Sequence, residues 1–69
     1  MVITEEQRII LTNFRKSNPG DPVDLYNAIL INMDQYRAKE FAKELNVPYK
    51  GKRFFAKSTI QMMEEINLI

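Results

Sequence analysis

Asn18-Pro19-Gly20-Asp21-Pro22 places a helix stop and a helix start within five consecutive residues. Pro19 cannot continue a helix and Gly20 lets the chain turn. Asp21 then offers a side-chain oxygen to the amides of a following helix, and Pro22, with its fixed φ, suits the first position of that helix. Asp24 falls near the positive end of the helix dipole. A chain punctuated in this way is built from helices joined by tight turns, and no equally clear strand signal competes.

The same logic applies on either side. Thr4-Glu5-Glu6-Gln7 is a capping box, Thr4 accepting from the third helical amide and Gln7 reaching back, so a first helix starts at Thr4. Ile3, Ile10, Leu11 and Phe14 share one side of it. In the second helix Val23, Tyr26, Leu30 and Met33 share a face. Asp34 can cap a third helix with Ala38, Phe41, Ala42 and Leu45 on its apolar stripe and Lys39 and Lys43 opposite. No Gly or Pro follows Met33, so residues 22–45 are read either as two helices or as one bent helix. Asn46-Val47-Pro48 ends this stretch, because the residue before a proline is pushed out of the helical region. Residues 48–56, crowded with Lys50, Lys52, Arg53 and the pair Phe54-Phe55, read as a short wing-like hairpin or an irregular loop turning at Gly51. The last helix is expected over 58–67, opened by a second capping box, Ser58-Thr59-Ile60-Gln61. Ile60, Met62, Met63, Ile66 and Ile69 fall on its inner half, with Lys57, Ser58, Gln61, Glu64 and Glu65 on its outer half. The expected fold is an all-α bundle of about four helices forming a single domain over residues 1–69.

Composition narrows the function. A 69-residue chain has a small core, worth roughly 3–5 kcal/mol net. With no Cys and no His it lacks disulfide staples, zinc sites of the usual donors and every nucleophile paired with a histidine. The pairs Glu5/Glu6 and Asp21/Asp24 are accounted for by helix starts and Glu64/Glu65 lies on an outward face, while Gly20 and Gly51 alone cannot make a glycine-rich phosphate loop. A non-enzymatic protein without metal or cofactor is expected. The longest aliphatic run, residues 28–31, is far short of the roughly 20 needed to cross a bilayer, and Glu5 and Glu6 stand where a signal peptide would be basic. Neither a membrane span nor a signal peptide is expected, and a small domain without disulfides suits the cytoplasm.

Net charge is only +1, but it is unevenly spread. Residues 37–57 carry seven cations against two anions, whereas residues 1–36 carry three cations against five anions. Such asymmetry is the footprint of a polyanion-binding face; the plainer alternative is a lysine-rich solvated surface.

Three short runs then form a recognisable series: Glu40-Phe41-Ala42-Lys43-Glu44-Leu45-Asn46, Gly51-Lys52-Arg53-Phe54-Phe55 and Ser58-Thr59-Ile60-Gln61-Met62-Met63. Over residues 38–63 this resembles the helix-turn-helix module of serine recombinases and small regulators of phages and other mobile elements. No recombinase catalytic domain accompanies it, so the resemblance implies DNA binding without strand exchange. The helix at 38–45, bearing Lys39 and Lys43, would cross the DNA backbone; Lys50, Lys52 and Arg53 would clamp phosphates; Lys57, Ser58 and Gln61, at the first turn of the last helix, would approach the bases. Gln61 has a competing local role in the capping box. If residues 54 and 55 are extended, only one ring points inward; the other could stack on a base or wedge into a groove, or both could cover the core. The implied partner is double-stranded DNA, with a homodimer through apolar Leu68 and Ile69 as one expectation and their folding back onto Ile9 or Ile10 as the other. The alternative function is a small protein-binding module or inhibitor using the acidic N-terminal half and the apolar C-terminus.

Overall fold

Three of the four helices begin where a side chain satisfies the amides that a helix start leaves open. The computed structural model describes residues 2–69, which form α1 (Glu5–Ser17), α2 (Pro22–Leu30), α3 (Gln35–Leu45) and α4 (Lys52–Glu65), with no strand among the described residues. Thr4 Oγ1 accepts from the Gln7 amide at 3.1 Å, and Gln7 Oε1 accepts from the Thr4 amide at 2.9 Å, completing the expected capping box. Asp21 and Asp24 exchange the same pair of bonds at the start of α2, so Asp24 is a reciprocal cap as well as a charge near the dipole. Asp34 Oδ1 accepts from the Arg37 amide at 2.7 Å. That cap decides the ambiguity over 22–45: there are two helices, broken across residues 31–34 without a glycine or proline.

Helix ends are closed by backbone geometry. Asn46 adopts the left-handed region at φ 57°, and the Val47 amide reaches back to the Ala42 carbonyl at 3.0 Å, so α3 stops one residue before the pre-proline position. Asn67, at φ 61°, ends α4 in the same manner, with the Leu68 amide bonded to the Met63 carbonyl.

Two expectations are corrected. The inner side of α2 is Leu25 and Ile29, both fully buried, and not the face of Val23, Tyr26, Leu30 and Met33; Val23 is exposed and the other three are half-buried. Asp24 and Asn27 mark the outer side of α2, but its apolar residues spread over more than half of the wheel, and packing against α4 selects Leu25 and Ile29 among them. Residues 52–57 are the first part of α4, not a hairpin or loop. Phe55, Ala56, Thr59, Met62 and Met63 repeat at helical spacing and are all buried, and this stripe carries the helix back to Lys52.

The core gathers side chains from all four helices. Phe14, Phe41 and Phe55 link α1, α3 and α4 in series, with ring centroids 5.0 and 5.6 Å apart, the second pair edge to face. Leu11, Leu25, Ile29 and Leu45 fill in around them. Ala38, Ala42 and Ala56 have no exposed surface to speak of, and their small size lets α3 and α4 approach their neighbours. The fold therefore buries the stripe of Phe55, Ala56, Thr59, Met62 and Met63 on α4 and leaves Arg53, Phe54, Lys57 and Gln61 exposed.

Candidate nucleic-acid interface

At 100° per residue, the outer side of α4 is a single stripe of Arg53, Phe54, Lys57 and Gln61, followed by Glu64 and Glu65. Arg53, Lys57 and Gln61 are exposed, and Phe54 keeps 47% of its surface in solvent while its neighbour Phe55 keeps none. One ring in and one ring out was the pattern expected for an extended pair; a helix gives it here because adjacent residues are 100° apart. Lys50, in the turn just before α4, holds its Nζ 5.5 Å from the centroid of Phe54, so the stripe begins with a cation lying on an aromatic face.

The lysines of α3 join this surface through the turn. Lys39 and Lys43 are exposed one helical turn apart and border a shallow groove whose other walls are Ala42, Asn46, Val47, Pro48 and Tyr49. Lys39 Nζ stands 5.9 Å from the Tyr49 ring. Cations and rings thus alternate from Lys39 to Tyr49, Lys50 and Phe54. None of Lys39, Lys43, Lys50, Arg53 and Lys57 pairs with an anion among the described residues, whereas Arg8 pairs with Glu5 and Arg37 with Glu44.

Two expected contact residues leave the group. Lys52 turns inward and donates from Nζ to the Met33 carbonyl at 2.9 Å, half-buried against the connection between α2 and α3. It therefore holds the bundle together instead of clamping a phosphate. Ser58, half-buried in the second turn of α4, caps nothing. The turn from 57 to 61 is likewise not a helix start: α4 begins five residues earlier, with Gly51 as a cap that supplies no side-chain bond. Gln61 is accordingly free of the capping role that competed for it, and its side chain projects outward. A run of inward residues extending back to Phe55 was the signal that could have placed these side chains, and the crowd of cations around it masked it.

Charge along α4 runs against its dipole. Lys52 and Arg53 occupy the first turn of α4, and Glu64 and Glu65 its last turn. α1 shows the favourable order, Glu5 and Glu6 first and Arg15 and Lys16 last. An exposed charge at the unfavourable helix end costs a few tenths of a kcal/mol up to about 1 kcal/mol, so the helix dipole does not favour Arg53 at the start of α4. The alternative groove between α1, α2 and α3, lined by Phe14, Met33 and Phe41, has the Arg37–Glu44 pair of α3 on its wall and gathers no such charge. Among the described residues no cluster of acidic side chains could hold a metal ion, and no helix is long and apolar enough to cross a membrane. Compared with protein-family models, with curated proteins and with solved structures, the chain finds no match, so the reading of this surface rests on its own geometry.

Proposed function

We propose that the chain is a non-enzymatic DNA-binding protein of helix-turn-helix type, in which α3, the turn at 46–51 and α4 form the binding unit. The observation that carries this reading is the outer stripe of α4, where unpaired Lys50, Arg53 and Lys57 surround one exposed ring and are followed by Gln61. An isolated helical stripe of this width fits the major groove of B-form DNA, about 12 Å across, and not the deep, narrow groove of double-stranded RNA. Arg53 and Lys57 reach phosphates or guanine edges, Gln61 suits adenine, and Phe54 meets a thymine methyl. Lys39, Lys43 and Lys50 lie along the flanking backbone. Glu64 and Glu65 stand about 10 Å along the axis from Lys57 and repel phosphate, so the first half of α4 enters the groove and the second half stays out. In this role the protein acts as a transcriptional or mobile-element regulator in the cytoplasm.

The test is duplex binding by fluorescence anisotropy at several salt concentrations. Replacing Lys50, Arg53 and Lys57 together by Ala is expected to weaken binding to every sequence and to lower the salt slope by up to about three phosphate contacts. An unchanged slope in this variant removes the stripe as the binding face. Gln61→Ala is expected to alter the preference among sequences without lowering the melting temperature.

A second reading, a small protein-binding module, draws support from a different surface: Val23 and Ile31 on the outer side of α2 remain largely exposed. Capture of a protein partner by that side, insensitive to the α4 triple variant, favours it.

A further inference from the structure

We propose that copies of this chain associate head to tail, the acidic outer side of α2 on one copy, with its exposed Val23 and Ile31, receiving the basic, aromatic outer side of α4 on the next. The inference adds to the DNA-binding reading and involves the same α4 stripe, but self-association can be measured without DNA.

The outer side of α2, opposite Leu25 and Ile29, carries Asp24 and Asn27 together with exposed aliphatic side chains. On the inner side, packed against α4, Leu25 and Ile29 are buried, and Tyr26, Ala28 and Leu30 are half-buried. On the outer side Val23 is 65% and Ile31 70% exposed, with Asn27 between them. The charges carried by residues 17–36 have one sign, and the nearby Lys52 is half-buried with its Nζ on the Met33 carbonyl. Asp21, Asp24 and Asp34 are exposed, and no Lys or Arg occurs anywhere in residues 17–36. The outer side of α4 is the counterpart: exposed Phe54 as the apolar element, with Lys50, Arg53 and Lys57 around it and no anionic partner among the described residues. Apolar surface meets apolar surface and acid meets base when the two are brought together.

Because α2 and α4 pack on each other through their buried sides, these outer sides face away from one another, and one copy cannot satisfy its own. A contact between unlike faces is heterologous, so it adds copies in an open series instead of closing a two-fold dimer. Each face is a single helix, smaller than the roughly 800 Å² per partner of a stable interface. Association is therefore weak, rises with concentration and, because it depends on charge, falls with salt. A neighbouring copy and a duplex compete for the α4 stripe.

The experiment is sedimentation of the full chain up to about 1 mM, in about 20 mM and about 500 mM salt, conditions that differ severalfold in screening length. Average mass is expected to climb with concentration at low salt and to return to that of the monomer at high salt. Ile31→Lys introduces a cation at the exposed end of α2, where the helix dipole tolerates it, and Lys57→Glu reverses the α4 stripe. Each variant alone is expected to stay monomeric, and an equimolar mixture is expected to associate again, since the two altered faces match and so do the two native ones. Helical circular dichroism checks that both are folded; if Ile31→Lys is not, Val23→Lys takes its place. Wild-type chain that stays monomeric at about 1 mM in low salt overturns the proposal and leaves the α2 face to a different protein. So does association that ignores salt, or a mixture that stays monomeric while the wild type associates. Duplex binding by a strictly monomeric chain keeps the DNA reading and rejects this one; self-association without duplex binding does the reverse.

Discussion

Lys52 and Arg53 are adjacent, both cationic, and separated in role by the 100° between them. Lys52 spends its charge on the Met33 carbonyl, inside the bundle, while Arg53 has no partner among the described residues. Lys52→Ala is therefore expected to lower stability by about 1–2 kcal/mol in urea melts, the range for a hydrogen bond from a charged group. Arg53→Ala is expected to leave the melt unchanged and to weaken duplex binding. Equal stability of the two variants would show that the Lys52 bond contributes nothing. Tyr49 poses a related question, because its hydroxyl is enclosed and has no hydrogen-bond partner among the described residues. An enclosed hydroxyl without a partner costs free energy, so Tyr49→Phe is expected to hold or raise the melting midpoint. The ring itself stays useful, packed 6.2 Å from Phe55 and beneath Lys39.

Helix starts separate two sequence patterns that look alike. Thr4-Glu5-Glu6-Gln7 and Ser58-Thr59-Ile60-Gln61 both have the form of a capping box, yet only the first caps a helix. Thr4→Ala is expected to cost about 1 kcal/mol, whereas Ser58→Ala, in a helix interior, is expected to be neutral or slightly stabilising because Ala is the better helix former. A loss of similar size at Ser58 would mean that α4 starts later than Lys52. At the α1–α2 turn, Gly20 has φ +139°, and a Cβ there would stand 2.6 Å from Asp24 Oδ2. Gly20→Ala therefore strains the backbone and displaces the carboxylate that caps the Asp21 amide. An expected loss of at least about 1 kcal/mol is readable as a lowered melting temperature. How far these elements were legible follows the same division. Caps formed by Thr4, Asp21 and Asp34 act on the residues immediately after them and could be read directly, but Ser58 shows that a cap pattern needs a real helix end beside it.

On the scale of the molecule, the bundle is tied by a few bonds between distant segments. Gln7 Nε2 donates to the Leu45 carbonyl at 2.8 Å, joining the start of α1 to the end of α3. Arg15 donates from Nε to the Leu68 carbonyl at 3.0 Å and from Nη1 to the Asn18 carbonyl at 3.1 Å, joining the last residues of the chain to the end of α1. Leu68 and Ile69 are half-buried and packed against the core, which leaves little apolar surface there for a symmetric seam. Deleting residues 68 and 69 is expected to lower stability by about 1–3 kcal/mol through lost burial and the lost Arg15 bond, with no change in sedimenting mass. A fall in mass on deletion would restore the seam at that end.

The sequence alone determined where three helices begin, where the first turn lies, which residues of α1 and α3 face inward, and that cations concentrate between residues 37 and 57. Each of these follows from neighbours a few residues apart, through caps, proline geometry or a clear apolar period. Only the tertiary structure decided which side of α2 is buried, that residues 52–57 belong to α4, and which cations share a face. These depend on contacts between helices. A helix whose apolar residues spread over most of its wheel gets its buried stripe from the helix that covers it, and a basic, aromatic run becomes helix when Phe55 and Ala56 find a core to enter. Burying Phe55 and Ala56 turns Arg53, Phe54 and Lys57 outward, so the packing that completes the core also assembles the exposed stripe.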